Sequence, residues 1–542
     1  MLKIKNYLSH LFLTIFSIVL IISPASAFAM QQDIILLYTN DAHCGVADNL
    51  GYAEISQYKK DLLKTNPNVI LVDAGDAIQG APIGKLSEGM SIINIMNTVG
   101  YDFAIPGNHE FDYGVDNFLK LSTKLNCGYY CSNFINNTTK KPYFPAYKIF
   151  NFADKKVALI GVTTPETLTS SVPTYFQNEH GEFIYSFAED STGKKLYKNI
   201  QDTVNQVHKL GVDYVILVGH LGVHDANPIW SSVSVAQNTT GIDAIIDGHS
   251  HEVVPSLVIK NKDHKDVVIT QTGTKLQNLG KLTINPEGKI STELINKISD
   301  TDPVITNLIN KEEAEFLPML QKKIGTSSVD LTIMDNKTNK RLVRNGETNL
   351  GDFVTDAFRT VLNTDVAIMN GGDIRADLHK GDFSYNDVLT VFPFGNMCVS
   401  MEVTGQQLLD ALELGASSYP NESGGFFQIS GATYEINSTI PSSVVVDDKG
   451  DFVAVKGKYR VQNVKINGKP LDVNKKYTIG GTAYILKNGG NGMTMFKGGK
   501  VLQDEVLSDV DLITQYIQKN LNSIISEAYS NPYGQNRISI IQ

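Results

Sequence analysis

Seven side chains of metal-ligand type stand at the ends of apolar runs in the first half of the chain. The runs are "DIILLYTND", "NVILVDAGD", "FAIPGNH", "VILVGH" and "AIIDGHSH", and the residues are Asp41, His43, Asp76, Asn108, His220, His249 and His251. Ligands of layered α/β sheets bind beyond the carboxyl ends of the strands, so neighbouring strands would bring these side chains together. For any one of them taken alone, a helix cap or a satisfied polar group is the better explanation. Five runs that end in this way favour a single site.

The mixture of carboxylates, imidazoles and one amide suits borderline divalent metals such as Zn, Mn, Fe or Co. Thiolates are too few for an iron–sulfur or copper site, and an oxygen-only Ca site would not need so many imidazoles. Seven ligands also exceed the roughly four that one structural zinc takes. Two metals that share a bridging carboxylate fit the set better.

The stretch "PGNHEFDYG" carries a further pair of interest, His109 and Asp112. Three residues apart at the start of a helix, they share one face, so Asp112 can hold the imidazole and favour its charged form. A charged His109 near a phosphate could stabilise negative charge or protonate the leaving oxygen. The alternative is that Asp112 only caps the helix. We expect Glu110 to do no more than stabilise the first helical turn.

The elements that must position these residues form the first of at least two domains, because 542 residues exceed the size of one core. Val/Ile/Leu runs separated by helix-length segments predict an α/β layered domain, residues 33–300, with sheets buried on both faces. In the segment that follows, Asp302 suits a helix N-cap, and Pro318 should kink or end the helix. We assign a helical connector to residues 301–324 and a second α/β domain to residues 325–542.

The first 27 residues are predicted to be a secretory signal peptide. Lys3 and Lys5 precede the apolar run "LFLTIFSIVLII", and an Ala-x-Ala cleavage site ends at Ala27. The alternative, an uncleaved anchor, is disfavoured because the run is short for a bilayer. No later segment reads as transmembrane, so we expect export to the periplasm or the extracellular space without stable membrane insertion. Loss of the leader changes the formal charge from −10 to −12, which argues against binding of nucleic acid polymers.

The chain has four cysteines, Cys44, Cys127, Cys131 and Cys398. Export permits disulfides. On a strand, Cys127 and Cys131 would lie roughly 13 Å apart, whereas a turn or a helix could bring them within bonding reach. We interpret the four thiols as mostly structural.

Taken in order, "DAH", "GDAIQG", "GNHEFD", "GH" and "GHSH" resemble the signature of the calcineurin-like metallophosphoesterases. The longer "YTNDAH" and "GNHEFDYG", together with "NLGDFVTDAF" and "NGGDIRAD", are similar to the 5′-nucleotidase family, which includes bacterial periplasmic 5′-nucleotidase/UDP-sugar hydrolases. The resemblance covers essentially the whole mature chain. It implies a layered α-β-β-α metallophosphoesterase domain, joined by a helical connector to an α/β substrate-binding domain.

The resemblance also implies two divalent metal ions, with Zn, Mn or Co as the candidates. The first metal would take Asp41, His43 and His251, the second would take Asn108, His220 and His249, and Asp76 would bridge them. His109 and Asp112 would form the catalytic dyad of the family.

Substrate contacts are expected from the second domain. Arg344, Asn370 and Arg375 match family residues that contact the substrate, and glycines around "NGGDIRAD" let backbone approach an anion. Phe426 matches a family residue that stacks on one face of the base. The alternative for Phe426 is a core aromatic, and because Phe427 is adjacent, we expect one of the two to lie in the core.

Two departures from the family pattern affect the substrate side. The loop "KNGGNG" has Asn491 where the family has Asp, which removes an acceptor for ribose or base. By spacing, the second stacking residue would be Ile485; if the loop is one residue longer, Tyr484 stacks instead. Gly45 stands where the animal enzymes carry Arg.

The function that these features predict is hydrolysis of nucleoside 5′-monophosphates to nucleoside and phosphate by a metal-bound hydroxide. The alternatives are hydrolysis of UDP-sugars, of nucleoside di- or triphosphates, or of 2′,3′-cyclic nucleotides. A third possibility is a non-catalytic nucleotide-binding protein, whose expected mark is a lost metal ligand or a lost dyad. The expected partner is therefore a nucleotide, and no pattern in the chain predicts an oligomeric state.

Overall fold

The structure is a computed structural model that describes residues 32–152, 155–171, 173–224, 228–504 and 506–542. The predicted leader, residues 1–27, lies outside this part of the chain. Within the described ranges, no helix has the length and apolar character needed to cross a bilayer.

Two β-sheets form the centre of the first domain. Their strands are β1 (Ile34–Thr39), β2 (Val69–Asp73), β3 (Phe103–Ala104), β4 (Tyr147–Phe152), β5 (Lys155–Thr163), β6 (Tyr214–His220), β7 (Ala244–Ile246), β8 (Val253–Lys260), β9 (Asp266–Thr272), β10 (Leu279–Ile284) and β11 (Ile290–Ile295). The first sheet has the order β11-β10-β1-β2-β3, and the second has the order β8-β9-β7-β6-β5-β4. The strands β1, β2 and β3 are parallel, as are β5, β6, β7 and β9.

Both faces of β1 are buried, as its unbroken apolar run requires. Ile34, Leu36 and Tyr38 pack between the two sheets. Ile35 and Leu37 point the other way, into a core shared with the helices over the first sheet. A strand with no polar face can lie only between two apolar layers.

Helices cover the outer face of each sheet. They are α1 (Gly51–Leu63), α2 (Pro82–Ser87), α3 (Met90–Val99), α4 (Val115–Ser122), α5 (Thr167–Ser170), α6 (Lys194–Lys209) and α7 (Ser232–Asn238). Apolar residues of α1 to α4 pack on the first sheet, and those of α6 and α7 pack on the second. The layers are therefore helix, sheet, sheet and helix, and the predicted α/β fold class is confirmed.

The connector helix α8 (Pro303–Leu320) packs against the first domain. Its N-cap is Asp302, whose carboxylate accepts the Val304 backbone N–H. Ile305 and Ile309 enter the core that lies over the first sheet. The helix continues for two residues beyond Pro318, which occupies its last turn.

The second domain is built on a five-stranded sheet. Its strands are β12 (Val366–Asn370), β13 (Cys398–Thr404), β14 (Phe427–Ser430), β15 (Lys476–Thr482) and β16 (Lys500–Gln503), in the order β14-β12-β15-β13-β16. Smaller sheets join Gly381–Ser384, Lys323–Ser327 and Ile524–Ile525, and join Lys469–Pro470, Val461–Ile466, Ala432–Asn437 and Ile538–Ile541. The helices are α9 (Asn349–Leu362), α10 (Tyr385–Val391), α11 (Gly405–Gly415), α12 (Ala483–Leu486) and α13 (Asp509–Gln515).

A candidate metal centre facing two domains

The seven ligand-type residues of the first domain converge where the carboxyl ends of the two sheets meet. Asp41, Asp76 and Asn108 follow β1, β2 and β3 of the first sheet, His220 ends β6, and His249 and His251 follow β7 of the second sheet. Because the sheets pack face to face with these ends at one edge, residues more than 200 positions apart become neighbours. His43 joins them from the loop after β1.

Four of these residues could hold one metal ion together. The ligand atoms of Asp41, His43, Asp76 and His251 all lie within 4.8 Å of one another. The Nε2 atoms of His43 and His251 are 2.9 Å apart, and the Nε2 atom of His251 is 3.3 Å from an Asp41 carboxylate oxygen. Nitrogen and carboxylate oxygen donors at such separations suit a divalent cation.

The other three residues lie beside this cluster. The Nε2 atom of His220 is 3.0 Å from a carboxylate oxygen of Asp76, and its ring centroid is 5.1 Å from that of His249. Asn108 is buried, and among the described residues its Oδ1 atom has no hydrogen-bond partner. A buried carbonyl oxygen without a donor costs free energy unless a cation occupies its direction.

The backbone is strained at this site. Asp41, His43, Asp76, His249 and His251 have φ angles of 50°, 43°, 58°, 80° and 58°, in the left-handed region that residues with a Cβ atom avoid. Such conformations cost about 1–3 kcal/mol each and persist where the surrounding structure enforces them, most often at functional sites. The strain is therefore an argument for function that does not depend on the type of side chain.

The electrostatics of the cluster ionise Asp41 and keep the imidazoles of His43 and His251 neutral, but not that of His220. Burial raises the pKa of Asp41, but His251 and His220 outweigh burial and bring it to about 2. Burial and the neighbouring His251 lower the pKa of His43 well below its ordinary value, and burial also lowers that of His251. Ionised carboxylates and neutral imidazoles are the forms that bind metals. Burial lowers the pKa of His220, but Asp76 and Asp41 outweigh burial and raise it to about 9, so this imidazole must release a proton to bind a metal.

His109 and Asp112 form a close pair at the rim of the cluster. The Nδ1 atom of His109 is 2.6 Å from Asp112 Oδ2, and the Ser171 hydroxyl donates to Asp112 Oδ1 at 3.1 Å. Burial lowers the pKa of His109, but the carboxylates of Asp112 and Asp76 outweigh it and raise the pKa. The backbone N–H of His109 also donates to Asp76, which ties this pair to the metal cluster.

Glu110 supports the site in a way that the sequence did not predict. It is fully buried, and its carboxylate accepts the backbone N–H groups of Gly107, Asp76 and Ala77 at 2.6, 2.8 and 2.8 Å. One side chain thus joins the loop after β2 to the loop after β3. The expectation of a first-turn helix contact was wrong, because a carboxylate in contact with a distant loop leaves no local pattern.

Close backbone approach explains the glycine of "GNH". A Cβ atom on Gly107 would lie 2.2 Å from the Asp76 carboxylate. The two loops can therefore touch only if this residue has no side chain. Asn40 lies in the loop after β1. Its Nδ2 group donates to Asp41, and its Oδ1 atom accepts the backbone N–H of Thr272.

A cavity of about 1060 Å³ lies over the cluster, and residues of the second domain form its opposite wall. The predicted substrate residues that line it are Arg344, Asn370, Arg375, Tyr484 and Asn491, and they face Asp76, Asn108, His109, Asp112, His249 and His251. Arg344 is partly buried, and its buried Nε atom has no hydrogen-bond partner in the described part of the chain. Partly buried guanidinium groups in an acidic protein create a local site for an anion.

Phe426 does not line this cavity, which corrects the prediction. It is 1% exposed and packs with Phe427 in the core of the second domain. The expectation that only one of these two would be a core residue was therefore too restrictive. The backbone N–H of Gly371 donates to the Phe426 carbonyl oxygen, so the main chain of this segment meets the "NGGD" loop while its side chain turns inward.

Of the two alternatives after β15, Tyr484 lines the cavity and Ile485 is buried in the core. The Tyr484 hydroxyl donates to the Thr169 carbonyl oxygen of the first domain at 2.8 Å and accepts the Asn491 N–H at 3.2 Å. Asn491 has a φ of 51°, and its Oδ1 accepts from Asn370 Nδ2 at 3.3 Å. The cysteines take no part, since all four are free thiols, including Cys127 and Cys131.

Two family models match successive parts of the chain. Residues 35–253 match the calcineurin-like phosphoesterase family, and residues 323–498 match the 5′-nucleotidase C-terminal domain. The 5′-nucleotidase of Vibrio cholerae serotype O1 is 28% identical over 88% of this chain and 91% of its own length. The trifunctional nucleotide phosphoesterase protein YfkN of Bacillus subtilis is 27% identical over 91% of this chain, which spans only 34% of that longer protein.

The fold is shared with a solved structure. The 5′-nucleotidase precursor from Thermus thermophilus superposes with a TM-score of 0.77 at 24% identity, covering 94% of this chain and 99% of that one. Fold, domain order and the buried Asp/His cluster all agree with the two family matches. The chain belongs to the 5′-nucleotidase family of calcineurin-like metallophosphoesterases.

Proposed function

We propose that this protein is an exported dimetal phosphohydrolase that converts nucleoside 5′-monophosphates to nucleoside and phosphate. The observation that carries the proposal is one cavity lined by the candidate metal cluster on one wall and by partly buried arginines on the other. A phosphate ester with an attached nucleoside matches both walls, because its phosphoryl group needs cations and its base needs a surface to pack on. The export part rests on the leader, residues 1–27, and implies a periplasmic or extracellular location.

Two divalent metals fit the residues present, with Zn, Mn and Co as the candidates. Asp41, His43 and His251 would hold the first, Asn108, His220 and His249 would hold the second, and Asp76 would contact both. The unpartnered Oδ1 of Asn108 supports a cation beside it. When bound, the pair supplies an activated water and neutralises phosphoryl oxygens.

His109 is proposed to donate a proton to the leaving group. Asp112 holds its Nδ1 atom at 2.6 Å, so Nε2 is the nitrogen free to act on the substrate. The raised pKa of His109, which the two neighbouring carboxylates cause, keeps a proton available for the departing O5′ atom. Asp112 fixes the ring, and Ser171 fixes Asp112.

Arg344 and Arg375 are proposed to orient the phosphate and ribose oxygens from the opposite wall. A planar guanidinium offers paired donors to such oxygens. Tyr484 and Asn491 line the same wall, where the Tyr484 ring can pack on a base while its hydroxyl donates to the Thr169 carbonyl oxygen. Stacking tolerates different bases, so we expect activity on both purine and pyrimidine nucleotides.

The nearest alternative is the same chemistry on UDP-sugars, nucleoside di- or triphosphates or 2′,3′-cyclic nucleotides. The printed name of the Bacillus subtilis relative, a trifunctional nucleotide phosphoesterase, favours keeping these esters in the test. A non-catalytic nucleotide-binding protein is less consistent with the chain, since the sequence retains all seven ligand-type residues and the His109–Asp112 pair is in hydrogen-bond contact.

The test is a substrate panel on protein that has been stripped of metal and reconstituted with Mn²⁺, Co²⁺ or Zn²⁺. Phosphate release from AMP, UMP, UDP-glucose and 2′,3′-cAMP is measured side by side, with Asp76→Asn as the inactive control. The proposal predicts the highest kcat/KM for AMP or UMP. A higher value for UDP-glucose or the cyclic nucleotide would reassign the ester, and no release from any of them would favour the binding protein.

A further inference from the structure

A carboxyl group stands among the cations of the second-domain wall. Asp373 is buried and lines the cavity together with Arg344 and Arg375. Burial raises the pKa of Asp373 to about 7, although the amide of Asn370 and the two guanidinium groups act in the opposite direction. A negative charge at this place opposes the binding of a phosphate. Any contribution of Asp373 to binding must therefore come from a part of the substrate that carries hydrogen-bond donors.

Backbone contacts fix the turn that carries Asp373. Asn370 ends β12, and its carbonyl oxygen accepts the backbone N–H of Asp373 at 3.1 Å. Between these two residues, Gly371 donates its backbone N–H to the Phe426 carbonyl oxygen at 2.7 Å. A Cβ atom on Gly371 would lie 2.3 Å from the carbonyl oxygen of Val343. The turn is thus held between two neighbouring segments, which gives the Asp373 side chain a defined starting point.

Two side-chain amides hold the carboxyl group without using all of its acceptor sites. The Nδ2 group of Asn370 donates to Asp373 Oδ1 at 2.9 Å, and the Nδ2 group of Asn396 donates to Asp373 Oδ2 at 3.1 Å. An ionised carboxylate has about four lone-pair sites, so each oxygen can accept a further hydrogen bond. Because Asp373 lines the cavity, a bound substrate can supply that donor.

The amide of Asn370 connects Asp373 to the base side of the cavity. Its Nδ2 group also donates to Asn491 Oδ1 at 3.3 Å, and the backbone N–H of Asn491 donates to the Tyr484 hydroxyl at 3.2 Å. Asp373 therefore lies between the arginines proposed to bind phosphate and the ring proposed to pack on the base. In a nucleoside 5′-monophosphate the ribose occupies that middle position, and its hydroxyl groups are hydrogen-bond donors.

We propose that Asp373 determines the sugar specificity of this cavity by accepting a hydrogen bond from a ribose hydroxyl of the substrate. The inference rests on the proposed function, because it assigns Asp373 to the ribose of a nucleotide whose phosphate lies at the metal centre. A substrate without that hydroxyl would leave a buried carboxyl group without its donor, which costs binding free energy.

The experiment measures kcat/KM for AMP, 2′-deoxy-AMP and 3′-deoxy-AMP at about pH 8.5, where a carboxyl group with a pKa of about 7 is ionised. We expect the wild type to prefer AMP over at least one deoxynucleotide by about 10–100-fold, as for hydrogen bonds to charged groups. The analogue that loses turnover identifies the hydroxyl. Asp373→Asn, which keeps the size of the side chain, should lose most of this preference.

Glu422→Gln is the matched control for the loss of a carboxylate from this wall. Glu422 also lines the cavity, but its carboxylate accepts the Nε–H of Arg341 at 2.5 Å, so its removal should leave the preference for AMP unchanged. Unchanged melting temperatures verify that both variants fold. Equal turnover of the three nucleotides by the wild type, or equal losses on all three in Asp373→Asn, would overturn the inference.

A second readout needs neither metal nor turnover. Calorimetry on chelated protein compares the binding of adenosine, 2′-deoxyadenosine and 3′-deoxyadenosine, and we expect the deoxynucleoside that lacks the recognised hydroxyl to bind more weakly. Equal affinity for the three nucleosides, or no binding of adenosine, would also overturn the inference. If the wild-type protein hydrolyses no nucleotide, the proposed function fails, and nucleoside binding still decides the role of Asp373.

Discussion

The two walls of the cavity take their polar residues from different kinds of structure. On the first-domain wall, Asp41, Asp76 and His220 stand at or just beyond the ends of buried strands. On the second-domain wall, Arg344 and Arg375 come from loops, and only Asn370 ends a strand. A strand buried on both faces fixes the point where it ends, whereas a loop position depends on contacts with distant segments.

The core of the first domain positions the metal cluster, whereas contacts between the two domains position the substrate wall. All residues of the metal cluster belong to the first domain. Glu110 and Asn40, from neighbouring loops, form hydrogen bonds with Asp76 and Asp41. The substrate wall reaches the cluster only through contacts between domains, such as Tyr484 with Thr169 and Lys85 with Phe394. Changes in the metal cluster or in its supporting residues should therefore affect metal content, and changes on the second wall should affect substrate preference.

The largest effect should come from Asp76→Asn, which removes the carboxylate proposed to contact both metals. We expect at least about a 10³-fold loss of kcat and a lower metal content, because a neutral amide neither neutralises nor bridges two cations. Metal content is measured by elemental analysis and kcat by phosphate release. The matched control is Asp202→Asn, which removes a surface carboxylate that pairs with Lys198. Full activity in Asp76→Asn would contradict the assignment of metal binding to the first-domain wall.

His109→Gln should remove catalysis while it leaves the metals in place. Loss of a proton donor near the leaving group costs about 10²–10⁴-fold in rate, and His109 belongs to no proposed ligand set. The expected result is a fall in kcat of that order with a wild-type metal content. His208→Gln, a histidine on the surface that contacts Gly241, is the control. A loss of metal equal to that of Asp76→Asn would move His109 into the metal cluster.

Glu110→Gln tests whether a buried support on the first wall acts on the metals. The amide NH₂ group would face backbone N–H groups that the carboxylate now accepts, so the loops that carry Asp76 and Asn108 should separate. We expect metal affinity to fall about 10–100-fold, as for residues that orient ligands. Metal titration followed by calorimetry measures it, with exposed Glu287→Gln as the control. Unchanged affinity would restrict Glu110 to a folding role.

Arg375→Ala tests the second-domain wall, which is proposed to bind the substrate. We expect AMP turnover to fall about 10–100-fold, because charge-assisted hydrogen bonds to the substrate are lost. Turnover of p-nitrophenyl phosphate, which lacks ribose and base, should fall less, and metal content should not change. Arg375→Lys separates the planar fork from the charge alone. Equal losses on both substrates would remove Arg375 from its role in choosing the nucleotide.

Much of the first wall could be predicted from the sequence because its residues follow apolar strands directly. In a run such as "VILVGH", the last apolar residues indicate where the strand ends and which side chain stands at that end. The left-handed backbone at His249 and the burial of Glu110 could not be predicted, since both depend on loops far away in the sequence. Both are properties of single residues that are determined by contacts with distant segments of the chain.

The second wall was predicted less completely. Phe426 and Phe427 look alike in sequence, and both are buried, since packing of the whole domain decides which side chains reach the cavity. Phe394, in the loop after α10, carries no ligand-type group, and its ring centroid comes within 5.6 Å of that of His109 only because the two domains meet. Residues whose role depends on another domain leave no signal in their own segment.

The most direct measurement of the central claim is a metal titration of exhaustively chelated protein with AMP as the substrate. Phosphate release is recorded as Mn²⁺ is added in fractions of one equivalent per chain. We expect negligible activity before addition and a rise that reaches its plateau at two equivalents. Full activity after chelation, or a plateau at one equivalent, would contradict it.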